Sequence, residues 1–123
     1  MRRVTVAAAG AGAVLVVVAT AAASMPLTSL SVSPSQVHRG HRVTISGNAG
    51  DCPAGDAVAI LSGAFARTHE FASVPAVFAL VHGGGRFKIS PRVPRTRHVG
   101  SYGVSARCGG GNLGVSATIH VIA

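Results

Sequence analysis

The feature that most constrains the fold lies near the end of the chain, where residues 102–121 alternate between apolar and polar side chains. Apolar residues at every second position are typical of a β-strand that is buried on one face. Residues 109–112 interrupt the alternation with three glycines and an asparagine, which turn the chain at little steric cost. We therefore predict two antiparallel strands joined by a glycine turn, the first of which ends at Cys108.

The first 24 residues have the pattern of a secretory signal peptide. Arg2 and Arg3 precede an uncharged, mostly apolar segment over residues 4–19, and small residues surround an expected cleavage site after Ala23 or after Ser24. A basic start, an apolar centre and a small-residue end are the parts of such a signal. We predict a signal peptide over residues 1–24 and one secreted or cell-surface domain over residues 25–123. Retention as a membrane anchor stays open, because the apolar run approaches the ~20 residues that span a bilayer.

The predicted domain contains a regular series of strand candidates and no helical pattern. Glycine- or proline-containing turns separate the candidates at intervals of about a dozen residues, which predicts an all-β sandwich or barrel. The candidates are residues 27–34, 42–47, 57–65, 76–81, 86–90, 102–108 and 113–121.

Three other segments complete this prediction. Residues 35–41 are expected to form a turn, residues 66–75 a loop with edge-strand character, and residues 82–85 a hairpin turn. Residues 57–65 are almost entirely apolar, as in a central strand buried on both faces. A short buried helix is the alternative there, because periodicity alone does not separate the two.

Cys52 and Cys108 are the only cysteines of the chain. Two cysteines without a CxxC spacing, in an exported chain, predict one disulfide bond. Aromatic residues make up 4% of the sequence and tryptophan is absent. A domain with so few large apolar side chains has a thin core, so the covalent bond is expected to contribute much of its stability.

Several short motifs resemble known domains. The motifs LSVSPS at residues 30–35, a glycine at position 40 and VTISG at residues 43–47 resemble the opening of bacterial immunoglobulin-like domains on secreted actinobacterial proteins. The pattern from Gly100 through Tyr102 to Cys108 is similar to the end of those domains. The resemblance implies an immunoglobulin-like β-sandwich of about seven antiparallel strands with one disulfide, and a non-catalytic binding or structural role.

The resemblance to immunoglobulin-like domains also implies a role for Tyr102. In immunoglobulin-like domains a tyrosine near the start of the sixth strand often bonds to the main chain, and Tyr102 stands at that place. A role for Tyr102 in stacking on a ligand is the alternative.

The first two strands also resemble the apoproteins of enediyne chromoproteins, which implies a small-molecule carrier as an alternative function.

The predicted mature domain carries nine basic residues against three acidic ones, a formal charge of +6. Such a charge attracts anionic polymers of the cell surface, and arginine side chains match phosphate and carboxylate geometry. The alternative is a solvated, extended basic loop. The absence of interleaved aromatic residues disfavours specific nucleic-acid binding. The predicted anion-binding residues are Arg86, Lys88, Arg92, Arg95 and Arg97.

The sequence contains no recognisable catalytic or metal-binding motif. Six histidines are present, but they lack ligand spacing and only three carboxylates accompany them. No nucleophile elbow occurs. We therefore predict no enzyme activity, no metal and no cofactor, and a monomer without stable membrane insertion after cleavage. A small hydrolase and assembly of copies through an open edge strand stay as alternatives.

Overall fold

The computed structural model describes residues 27–123, and the predicted signal peptide at residues 1–24 lies outside the described residues. No helix within the described part is long and apolar enough to cross a membrane. Nine strands and one 3-10 turn, Gly83–Gly85, make up its regular structure. The strands are β1 (Ser29–Ser33), β2 (Gln36–His38), β3 (Thr44–Asn48), β4 (Ala57–Leu61), β5 (Glu70–Phe71), β6 (Val74–Leu80), β7 (Arg86–Ile89), β8 (Gly100–Cys108) and β9 (Gly111–Ile122).

The nine strands form two sheets. The small sheet has the order β1-β3-β7, and the large sheet has the order β2-β9-β8-β4-β6-β5. In constant-type immunoglobulin domains the first, second, fourth and fifth main strands form one sheet, whereas the third, sixth and seventh form the other. The observed arrangement agrees except for the fourth main strand, β6, which pairs with β4 in the large sheet. The predicted all-β sandwich of two sheets is confirmed.

Apolar side chains from both sheets meet in one core. Ile45 and Phe87 of the small sheet belong to the same buried cluster as Ile60, Val104 and Ile119 of the large sheet. Each fully buried side chain of this size stabilises the fold by about 1.5–3 kcal/mol relative to an exposed one. The alternation seen in the sequence therefore decides which face of each strand is buried. The prediction that residues 57–65 include a central strand is also confirmed, because β4 lies between β8 and β6.

Residues 35–41 differ from the prediction of a simple turn. They include β2, which pairs in parallel with the end of β9, so that Val37 lies opposite Val121. A strand of three residues is too short to show a clear alternation of apolar and polar side chains, and its partner strand is distant in the chain. The sandwich consequently has nine strands rather than about seven, and one of its strand pairs is parallel.

The prediction of a hairpin turn at residues 82–85 is wrong. The turn exists, but β6 before it belongs to the large sheet and β7 after it belongs to the small sheet. The chain therefore crosses between the sheets here. Glycine permits a sharp change of direction in either case, so composition does not distinguish a hairpin from a crossing. Residues 66–75, in contrast, contain the short edge strand β5 as expected.

Cys52 and Cys108 form the expected disulfide, with Cα atoms 6.0 Å apart. Cys52 lies in the loop between β3 and β4, and Cys108 ends β8. The bond therefore ties a loop that leaves the small sheet to a central strand of the large sheet. This position restrains one end of the sandwich.

Gly47 allows two strands and an aromatic ring to approach closely within the small sheet. A Cβ atom at this position would overlap the main-chain oxygen of Ser29 and would lie 2.9 Å from Cζ of Phe87. Both neighbours belong to the paired sheet or the core, so neither moves easily. The site therefore accepts only glycine.

We expect replacement of both cysteines by alanine to lower the free energy of unfolding by about 4 kcal/mol, the chain-entropy value for a loop of this size. The two residues are separated by 56 positions. The measurement is urea-induced unfolding of the double variant and the oxidised parent protein. A loss below about 1 kcal/mol would contradict the proposed stabilising role.

We expect Gly47→Ala to lower the free energy of unfolding by about 1–3 kcal/mol, because the added methyl group overlaps fixed neighbours. Gly103→Ala is the matched control, since a Cβ at that strand position meets nothing within 4 Å. The control should stay within about 0.5 kcal/mol of the parent protein. Equal unfolding midpoints for the two variants would show that Gly47 is not sterically required.

Candidate anion-binding face

Four cationic residues lie in register on the outer face of the small sheet. Strands β3 and β7 pair so that residue 46 lies opposite Lys88 and residue 48 opposite Arg86. A separate bridge pairs Arg42 with Arg92 and continues the same register. Residues at every second position of a strand share a face. Arg42, Arg86, Lys88 and Arg92 therefore form one surface, which we term the basic face.

Hydroxyl and amide groups surround these cations on the same side of the small sheet. Ser31 and Ser46 share a hydrogen bond between their hydroxyl groups at 3.3 Å, and Thr44 and Ser90 share one at 3.0 Å. A shallow concavity lies over this region. The surface thus combines cations with small hydrogen-bonding groups, and apolar atoms, among them those of Phe87, also line the concavity. Its lining includes Ser29, Ser31, Ser46, Asn48, His82, Arg86 and Lys88.

Arg42 and Arg92 stand directly opposite each other, although both carry a positive charge. The neighbouring residues Val43 and Val93 make the main-chain hydrogen bonds between the two segments. Arg42 and Arg92 are therefore a non-hydrogen-bonded pair, the type in which facing side chains come closest. Like charges in such a position are destabilising.

Main-chain carbonyl groups hold these two guanidinium groups in place. Nη1 of Arg42 donates a hydrogen bond of 2.6 Å to the carbonyl oxygen of Ser90. Nη1 of Arg92 donates one of 2.6 Å to the carbonyl oxygen of Gly40. Each guanidinium has five N–H donors, so most of them stay available to a ligand.

Two further arginines join this end of the basic face. Gly40 has a positive φ of 84°, and a Cβ atom there would lie 2.8 Å from Cγ of Arg95. The aliphatic part of Arg95 thus packs directly on the turn, next to Arg39. A concavity of about 410 Å³ opens between these residues. We term the four arginines around it the arginine cradle: Arg39, Arg42, Arg92 and Arg95.

No carboxylate within residues 27–123 pairs with these cations. The single salt bridge of the described residues joins Arg67, in the loop between β4 and β5, to Glu70 of β5 at 3.2 Å. The positive charge of the basic face and the cradle is consequently not neutralised by the protein. Such a surface attracts anions from solution.

The structure separates the five residues that the sequence grouped. Arg86, Lys88 and Arg92 share the basic face, and Arg95 lies in the adjoining cradle. Arg97 lies apart, because its Nη2 donates a hydrogen bond of 2.8 Å to the carbonyl oxygen of Phe65. The half-buried Arg97 therefore anchors the loop that follows β4.

Arg39 and Arg42 are not among the anion-binding residues predicted from the sequence. Both belong to the motif HRGHR at residues 38–42, where basic residues flank Gly40. This local concentration of charge was a usable signal. However, only the pairing of Arg42 with Arg92 shows that the turn lies beside the basic loop.

Tyr102 makes the main-chain contact that the resemblance implied. Its hydroxyl donates a hydrogen bond of 2.6 Å to the carbonyl oxygen of His98, four residues upstream. This is the arrangement of a tyrosine corner. A structural role at the start of β8 therefore accounts for Tyr102 without a ligand.

A serine and a histidine meet on the outer face of the large sheet. Ser101 Oγ lies 2.8 Å from Nδ1 of His120, and the two residues are direct neighbours across β8 and β9. Nucleophilic catalysis needs a third group to orient the base and donors to stabilise an oxyanion. Among the described side chains, none hydrogen-bonds the other nitrogen of His120. The hydrolase alternative thus lacks a built site, and the absence of enzyme activity stays a prediction.

One cluster of metal-type ligands occurs among residues 27–123. It comprises Cys52, Asp56 and Cys108, whose ligand atoms lie within 4.8 Å of one another. The two sulfur atoms are bonded to each other, so they do not act as thiolate ligands. Asp56 alone is too small a ligand set for a metal ion.

A different surface carries exposed apolar residues. Phe78 and Leu80 of β6 are 46% and 54% exposed, and the neighbouring strand β5 covers only the beginning of β6. An uncovered strand edge can pair with another chain. Assembly of copies through this edge therefore stays an alternative to the monomer.

Two comparisons with known proteins found no match. No family model matches the chain, and no curated protein is significantly similar to it. Membership of the actinobacterial immunoglobulin-like domains thus stays a prediction that is based on the short motifs.

Proposed function

We propose that the chain is an exported, non-catalytic immunoglobulin-like module that binds an anionic polymer at or outside the cell envelope. The observation that carries the proposal is the basic face, where Arg42, Arg86, Lys88 and Arg92 lie in register without a carboxylate partner. Extended chain rises ~3.3 Å per residue, so Arg86 and Arg92 are about 20 Å apart along the sheet. A row of cations of this length suits a linear ligand with repeated charges better than one small anion.

The mode of binding follows from the exposure of these side chains. Solvent-exposed ion pairs contribute only about 0.2–1 kcal/mol each, and dissolved salt screens them over a Debye length of about 8 Å at physiological ionic strength. Several such contacts together produce moderate affinity with a strong dependence on salt. The surrounding hydroxyl groups add neutral hydrogen bonds that salt affects less.

The disulfide supports the proposed location. Disulfide bonds persist mainly in oxidising surroundings, such as the extracellular space and the bacterial periplasm. The Cys52–Cys108 bond is therefore compatible with a secreted or cell-surface protein. The predicted signal peptide at residues 1–24 gives independent support from the sequence.

A purely structural role for two of the cations is the competing explanation. β7 lies at the edge of the small sheet, and charged residues on edge strands prevent pairing with other chains. Arg86 and Lys88 could protect the edge in this way without binding a polymer. This explanation does not account for Arg42 and Arg92, which stand opposite each other.

The small-molecule carrier requires a concave apolar pocket. The concavity in the arginine cradle is lined mainly by cations, whereas the one over the basic face also has apolar atoms in its lining, among them those of Phe87. A third one, beside the disulfide, is lined by apolar residues such as Pro53 and Leu113 together with polar ones such as Asn112. All three are open to solvent rather than enclosed, and the carrier stays an alternative prediction.

We expect Lys88→Gln to weaken binding of long-chain polyphosphate about two- to fivefold, because one exposed ionic contact is lost. The slope of the logarithm of affinity against the logarithm of salt concentration should become less steep by about one. The measurement is a titration of the folded protein with labelled polyphosphate at several salt concentrations.

Arg67→Gln is the matched control for this experiment. It also removes one positive charge, but from the loop between β4 and β5, where the guanidinium pairs with Glu70. We expect this variant to bind polyphosphate like the parent protein. Equal losses for the two variants would show that net charge, rather than the basic face, governs binding. Increased self-association of Lys88→Gln with unchanged affinity would instead support edge protection.

A further inference from the structure

The arginine cradle is built on a main-chain framework that joins two segments. The N–H of Gly40 donates a hydrogen bond of 2.8 Å to the carbonyl oxygen of Val93, and the N–H of Val93 donates one of 2.9 Å to the carbonyl oxygen of His41. The buried side chain of Val93 anchors this framework to the core. The backbone beneath the arginines is therefore fixed before any ligand binds, which lowers the entropic cost of binding.

The four guanidinium groups differ in how they are held. Arg42 and Arg92 each use one N–H on a main-chain carbonyl, which sets their direction. Arg39 and Arg95 are exposed and make no side-chain hydrogen bond within residues 27–123. Arg42 and Arg92 thus form the preformed part of the cradle, and Arg39 and Arg95 can move toward a bound anion from the sides.

The charge and geometry of the cradle specify the class of anion. Four positive charges without a carboxylate favour a ligand with at least two negative charges over a monoanionic carboxylate. Guanidinium groups donate pairs of parallel N–H bonds that match the oxygens of phosphate. A terminal phosphate has three outward oxygens, so it can accept such pairs from several arginines, whereas a diester within a chain has only two.

We infer that the arginine cradle binds a terminal, doubly charged phosphate group, as in a phosphate monoester or pyrophosphate. The inference rests on the proposed function and deepens it, because the cradle adjoins one end of the basic face. The end of a phosphate-bearing polymer would lie among Arg39, Arg42, Arg92 and Arg95, while its body extends toward Lys88 and Arg86. The cradle thereby distinguishes polymer ends from continuous chain.

The test uses inorganic pyrophosphate as the probe for the cradle, titrated into the folded protein at constant ionic strength. We expect saturable binding that Arg95→Gln weakens at least about tenfold, because charge-assisted hydrogen bonds to phosphate are lost. Arg95→Lys retains the charge without the paired donors and should weaken binding less. Lys88→Gln and Arg67→Gln are the controls, and neither should change pyrophosphate affinity more than about twofold.

A second arm of the test distinguishes the terminal phosphates of a polymer from the phosphates within its chain. Polyphosphate with chemically capped terminal phosphates should lose the contribution of the cradle, so that Arg95→Gln no longer affects its binding. An unchanged effect of Arg95→Gln on capped polymer would show that the cradle binds internal phosphates, and this would overturn the inference. So would pyrophosphate binding that is absent, or that all variants weaken equally.

These results distinguish the inference from the proposed function. If polyphosphate binding responds to Lys88→Gln but pyrophosphate does not bind, the basic face stands and the cradle inference fails. If pyrophosphate binds through Arg95 but polyphosphate does not respond to Lys88→Gln, the polymer proposal fails instead. Arg95 is exposed, so its variants should unfold like the parent protein. Arg39→Gln serves as a second cradle variant should the unfolding midpoint of Arg95→Gln change.

Discussion

The pairing register between β3 and β7 is the constraint on which the rest of this structure depends. Burial of Ile45 and Phe87 between the sheets requires that the alternate residues, among them Lys88, face outward. A shift of one residue would expose the core side chains and bury the cations, which is energetically prohibitive. The core and the basic face are therefore two consequences of the same hydrogen-bonded ladder.

Concentrating positive charge on this ladder opposes stability. Arg42 and Arg92 face each other at the closest type of strand pairing, and main-chain carbonyls rather than carboxylates hold them. A protein selected only for stability would place a carboxylate at one of these positions. The thin core tolerates the arrangement because the Cys52–Cys108 bond limits the entropy of the unfolded chain. The unneutralised charge is the physical reason for our proposal that this surface binds an anionic ligand.

The candidate site could be predicted only in part. Arg86 and Lys88 alternate with the apolar Phe87 along one strand, so their shared outward direction is a local property of the sequence. Arg39 and Arg42 lie about fifty positions before Arg92, and nothing local indicates that the two segments are adjacent. Arg97 looked equivalent to its neighbours, but its contact with Phe65 depends on a distant loop.

The same division holds for the fold. By itself, the sequence determined the strands with alternate apolar residues and the single disulfide, because these depend on local pattern or on the number of cysteines. It favoured a central strand over a helix at residues 57–65, and the tertiary structure decided between them by placing β4 inside the large sheet. Only the tertiary structure decided that β2 pairs in parallel with β9, that the chain crosses between sheets at residues 82–85, and that the turn around Gly40 meets the loop around Val93. These three features are contacts between segments distant in the chain. Such contacts stabilise the protein only when the sheets pack together, so the local sequence pattern contains no signal that predicts them.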